Sequence, residues 1–167
     1  MPLFSLIISL LLVYRFLYKN KRFDEVLRLI DKKDLPKQAI FFEGQYFDAF
    51  EFIEILVTSA KKSLILIDPY CDNRALSFIK NKNADVQLTV VKSDKAKLAS
   101  ADISIFESQY GRIEVIERND IHDRFLVIDN KECYSLGASL NHAGKKMFAV
   151  CKIDNLDIIE SIVNLIK

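Results

Sequence analysis

His122, Arg124 and Asp129 bracket an apolar run, Phe125-Leu126-Val127-Ile128. An imidazole can act as nucleophile or base, a guanidinium carries a fixed charge matched to a phosphate, and a carboxylate can orient either. The run is aromatic or branched throughout, which predicts a buried strand. Successive strand side chains alternate between faces, so this reading projects His122 and Arg124 from one side. A nucleophile beside such a cation is a setting for phosphoryl chemistry. Asp129, at the end of the run, either joins that chemistry or opens a turn with Asn130.

The elements that must position these residues can be read from the rest of the chain. It has 167 residues, half of them hydrophobic, with a formal net charge of +1. That length suits one domain with a real core, and the balance excludes both a disordered chain and a global polyanion binder. Any phosphate affinity must therefore be local. Cys71, Cys133 and Cys151 have no metal-ligand spacing; Cys133 and Cys151 lie in apolar runs and read as reduced core thiols. No glycine-rich phosphate loop is present.

Residues 1–37 read as a hydrophobic helix and basic linker, and residues 38–167 as the folded domain. The apolar stretch over residues 3–18 falls short of the roughly 20 residues of a spanning helix and contains Arg15. It is a membrane anchor, an exposed helix that pairs with a partner, or the remnant of a longer chain. As an anchor, with Lys19, Lys21 and Arg22 following, it would leave the domain on the cytoplasmic side.

Strands are predicted at 39–42, 63–67, 87–91, 112–116, 125–129, 132–136 and 148–152. Helices are predicted at 49–60 with Asp48 as cap, at 74–81, 96–110 and 156–166. Early alternation followed by clustered strands indicates an α/β fold, a mixed and mostly buried sheet flanked by helices. Asp68 and Tyr70 stand at a strand's carboxyl end, where open α/β sheets bind ligands, although Asp68-Pro69-Tyr70 also suits a simple turn. Ser139 bonds the backbone or a substrate. His142, Lys145 and Lys146 form either an exposed loop or a basic edge to the site.

His122-x-Arg124-x4-Asp129 resembles the His-x-Lys-x4-Asp motif of the phospholipase D superfamily, with arginine in the lysine position. The context agrees. Residues 63–91 look like that superfamily's strand–helix–strand unit, a hairpin follows the motif, and Gly137-Ala138-Ser139 falls where the family carries Gly-Ser-x-Asn. The stretches 41–44, 137–140 and 144–146 are similar to the phospholipase D-like module found at the C-terminus of phage and bacterial antirepressor-type DNA-binding proteins.

The resemblance implies a metal-independent phosphodiesterase, nuclease-like, that works through a phosphohistidine on His122. Arg124 would clamp the phosphate, and Asp129 would orient the clamp or an imidazole across a dimer. It implies a homodimer, since one motif supplies only one histidine, and it implies nucleic acid as partner, with Ser139, Asn141, Lys145, Asp68 and Tyr70 around the substrate. No cofactor is implied. Two registers fit the glycine-serine segment: Gly137 matches the family glycine, leaving Ala138 and Leu140 at polar positions, or Ser139 and Asn141 match and Ala138 replaces the glycine. The alternative is a degenerate module that binds nucleic-acid phosphate or only dimerises.

Overall fold

The computed structural model describes residues 35–166. The apolar stretch over residues 3–18 lies outside them, and among the described residues no helix is long and apolar enough to cross a membrane. The elements run β1 (Gln38–Phe41), α1 (Tyr46–Ser59), β2 (Ser63–Ile67), α2 (Asn73–Ile79), β3 (Gln87–Lys92), α3 (Ser100–Tyr110) and β4 (Ile113–Glu117). Then come β5 (Phe125–Ile128), β6 (Glu132–Leu136), a short 3₁₀ turn (Leu140–His142), β7 (Phe148–Ile153) and α4 (Leu156–Leu165).

The strands form one mixed sheet of order β1-β7-β6-β5-β2-β3-β4. β2, β3 and β4 are parallel, and α2 and α3 are the crossovers that parallel neighbours require. The remaining pairs are antiparallel. Alternation divides the core. Ile65, Ile67, Val91, Val127 and Cys133 pack against Ile159, Val163 and Ile166 of the C-terminal segment. Leu64, Leu66, Val90 and Leu126 take the other face, where α1 contributes the wholly buried Ile53, Leu56 and Val57. Burial on both faces explains why β2 reads as an unbroken apolar run.

Strand direction creates the site. β2 runs antiparallel to β5 with Ile67 opposite Phe125, and β5 runs antiparallel to β6 with Phe125 opposite Ser135. The carboxyl ends of β2 and β6 therefore flank the entrance to β5. Asp68 to Tyr70, His122 to Arg124 and Gly137 to Asn141 come together at one pole of three adjacent strands. The pole is secured from β3, where Ser93 donates its hydroxyl to the Pro69 carbonyl at 2.6 Å.

Three local expectations are corrected. Asp48 is not the cap of α1: the helix begins at Tyr46, and Gln45 precedes it. The Gln45 side chain accepts from the Phe42 N–H at 2.8 Å and donates to Asp48 at 3.0 Å, so Asp48 sits inside the first turn. α3 starts at Ser100 rather than at 96, with Asp102 accepting from the Ala99 N–H at 3.1 Å. Cys151 is exposed, because it lies on the outward phase of β7, while Cys71 and Cys133 are buried.

Candidate active site

Arg124 is the centre of the cluster. Its carbonyl accepts from the Leu136 N–H at 2.9 Å, which ties the residue to β6 just before β5 begins. Its guanidinium carbon lies 5.3 Å from the centroid of the Tyr70 ring, within cation–π range. Its Nε is buried and has no hydrogen-bond partner. Because β5 starts at Phe125, His122 and Arg124 lie in the segment feeding the strand, and strand alternation does not govern them. His122 is exposed and Arg124 is half-buried.

Asp68, expected to line a substrate, is wholly buried instead. One carboxylate oxygen accepts from the Tyr70 N–H at 3.1 Å. The other accepts from the Ser139 hydroxyl at 2.6 Å and the Leu140 N–H at 3.1 Å. Burial pushes its pKa up, against the pull of these hydrogen bonds and of the Arg124 charge. The carboxylate thus bolts the β6–β7 loop to the end of β2.

Ser139 and Asn141 both turn into the cluster. The Ser139 hydroxyl is engaged with Asp68, and the Asn141 amide donates to the Tyr70 carbonyl at 2.9 Å. The Asn141 Oδ1 is buried without a partner. Gly137 instead lets two strands approach closely. Its N–H reaches the Ala149 carbonyl at 2.8 Å, and a Cβ there would stand 3.0 Å from that same oxygen.

Asp129 is not brought together with His122 and Arg124. It follows β5 at the opposite end, about 16 Å from Arg124 at roughly 3.3 Å per residue. There its carboxylate accepts from the backbone N–H groups of Lys61 at 3.1 Å, Lys62 at 2.6 Å and Ser63 at 3.0 Å. Burial would raise its pKa, yet the backbone donors outweigh it and hold the carboxyl below its ordinary value. Asp129 also opens the hairpin turn: it and Asn130 have φ of 54° and 55°, a left-handed conformation that Asp and Asn tolerate. The turn reading and the fastening are therefore one structural job.

His142 and Lys146 are exposed and Lys145 is half-buried. The loop that carries them is seated on the β1–α1 turn, where the Gly44 N–H donates to the Gly144 carbonyl at 2.9 Å. Sequence reasoning missed the Tyr70–Arg124 stack and the fastening role of Asp68; the only signal for either was an acidic-aromatic turn at a strand's end. Among the described residues no group of three or more His, Cys, Asp or Glu side chains is arranged to hold a metal ion.

No protein-family model matches the chain, and no curated protein matches it in sequence. In three dimensions it is similar to NucT from Helicobacter pylori, with a TM-score of 0.56 at 13% identity over 77% of this chain and 92% of that one. It is also similar to Nuc from Salmonella typhimurium, a phospholipase D family member, with a TM-score of 0.57 at 15% identity over 76% and 89%. Phosphatidylserine synthase from Haemophilus influenzae gives a TM-score of 0.52 at 18% identity over 75% of this chain and 35% of that one. At these identities the likeness is one of fold.

Proposed function

Starting from a phospholipase D-like fold, we propose that this chain is a metal-independent phosphodiesterase of nuclease type that acts as a homodimer. The observation that carries the reading is Arg124: a cation stacked on Tyr70, with a buried, unpartnered donor, two residues after an exposed histidine. A ring nitrogen of His122 attacks phosphorus, forming a P–N bond as the P–O bond to the leaving alkoxide breaks. The leaving oxygen takes a proton from the imidazolium of His122 on the second copy. Water then attacks the phosphohistidine, gives its proton back to that second imidazole and releases His122. Arg124 neutralises the non-bridging oxygens throughout, for which a planar guanidinium offers paired donors. Lys145 adds positive charge at the edge.

The domain doing this chemistry spans residues 38–167. Were the apolar stretch over residues 3–18 a membrane anchor, it would hold the domain on the cytoplasmic side.

The test is cleavage of single-stranded oligonucleotides and of bis(p-nitrophenyl) phosphate with EDTA present. The wild-type chain is expected to turn both over, and His122→Ala to abolish turnover of both. Cleavage unchanged in that variant would sink the mechanism.

One observation favours a second reading, a phosphate-binding module without turnover. The Asn141 amide donors face the Tyr70 carbonyl, so the phosphate receives less donor support than the family motif provides. That module would show no cleavage, and a salt-dependent affinity for oligonucleotides that Arg124→Ala weakens.

A further inference from the structure

Phe42, Tyr46, Phe47 and Met147 are 60%, 52%, 69% and 66% exposed, although each is large and mostly apolar. The structure puts them side by side. Phe41 pairs with Phe148 across β1 and β7, so the next residues out, Phe42 and Met147, leave the sheet together. The Phe42 N–H donates to the Gln45 side chain just before α1. Tyr46 lies against Gly144, where an added Cβ would stand 2.6 Å from the Tyr46 Cα. Ile40, two residues back on the same phase of β1, is exposed as well.

Four such side chains leave open about 500 Å², and a monomer seldom leaves that much contiguous apolar surface without a use. One partner of a standard interface contributes about 800 Å², so the patch has the size of an interface centre that needs a polar rim. The rim is present. Glu43 and Asp48 carry negative charge beside it, and Lys145 and Lys146 carry positive charge. Balanced signs do not suit an anionic lipid surface or a nucleic-acid backbone, which call for an excess of cations. They suit a surface that meets its own copy, where each charge finds its opposite across a two-fold axis.

The patch stands at the same pole of the sheet as the candidate active site. β1 ends there, as β2 and β6 do, and three strand spacings, about 14 Å, separate β1 from β5 along the row. A two-fold axis lying along that row of strand ends sets the patch against itself and His122 against its own copy in one contact. We propose that Phe42, Tyr46, Phe47 and Met147 are the centre of the homodimer contact, packed on the same four side chains of a second copy about such an axis. The proposal rests on the shared-site reading and names the surface that makes it.

The test is sedimentation equilibrium of the full chain, with the fold checked by circular dichroism. The wild type is expected to be a dimer. The double change Phe42→Glu and Phe47→Glu is expected to weaken association about a hundredfold, since two central anchors become like charges. Both positions are exposed, so that variant is expected to fold; Met147→Glu, tested alone, decides the matter where it does not. Ile105→Glu, at an exposed residue of α3, is expected to leave association unchanged. A dimer equally tight in the double variant, or one lost in Ile105→Glu as well, overturns the proposal while the homodimer reading stands. A wild-type chain that stays monomeric overturns both.

Discussion

A buried carboxylate whose two oxygens both accept from backbone N–H groups is hard to replace. At Asp68 the donors of Tyr70 and Leu140 sit on opposite oxygens, and backbone nitrogens can only donate. Asp68→Asn must therefore set an NH₂ against one of them, although its size is right. The expected cost is about 1–3 kcal/mol of stability, read from chemical denaturation, together with loss of turnover as the Ser139 to Asn141 loop comes free. Ser139→Ala removes only the hydroxyl donor and leaves the Leu140 N–H in place, so its expected cost is smaller, about 1 kcal/mol. An Asp68→Asn variant as stable and active as the wild type would show that the carboxylate does not hold the loop.

At the scale of elements, the two ends of β5 differ: Arg124 lies over Tyr70 before one end, and Asp129 locks the other. Asp129→Ala loses the acceptor of three backbone N–H groups and puts a residue with a poor left-handed preference at φ 54°. The expected destabilisation is about 2–3 kcal/mol, because a charged acceptor strengthens each bond. It also carries a pH signature. The folded-state pKa is depressed, so the contribution is fully present above the ordinary carboxylate value and lost as pH falls through the lower folded one. Acid denaturation of the wild type should contain this component, and the gap between wild type and variant should narrow at the acid end to the share owed to the turn. A gap independent of pH would assign the loss to the turn alone.

The loop carrying Lys145 depends on a second close approach. Gly144 has φ of 75°, and a Cβ on it would lie 2.6 Å from the Tyr46 Cα. Gly144→Ala should unseat the loop from the β1–α1 turn, lowering thermal stability measurably and weakening oligonucleotide affinity. An unchanged melting temperature would mean that the turn yields.

Across the whole molecule, what could be read in advance was what side chains encode locally. β2 and β6 match their predicted spans because their neighbours supply burial on both faces, which leaves an apolar run in the sequence. That Tyr70, Arg124, Ser139 and Asn141 gather at the ends of adjacent strands follows from the strand order, which the spans alone did not give. The turn opened by Asp129 was legible, but its hold on Lys61 to Ser63 was not, nor was the hold of Asp68 on the loop after β6. Asp68 finds Ser139 and Leu140 at separations of 71 and 72 residues, and Asp129 finds Lys61 to Ser63 at 66 to 68. Most of their partners are main-chain N–H groups, which every residue but proline possesses and no residue type announces. The start of α1 was misplaced for a related reason: a long glutamine side chain does at Gln45 what a shorter acid was expected to do at Asp48.

The fastening of Asp129 gives the motif's spacing a mechanical meaning. The carboxylate grips Lys61 to Ser63 at the foot of β2, and Arg124 emerges beside Asp68 at its head. Between them lies the width of the sheet, and four residues are what cross it. Sliding β5 by one position would lift the carboxylate off its donors and carry the guanidinium about 3.3 Å past the tyrosine. The interval is a gauge: anchored at one edge, it sets how far the arginine protrudes at the other.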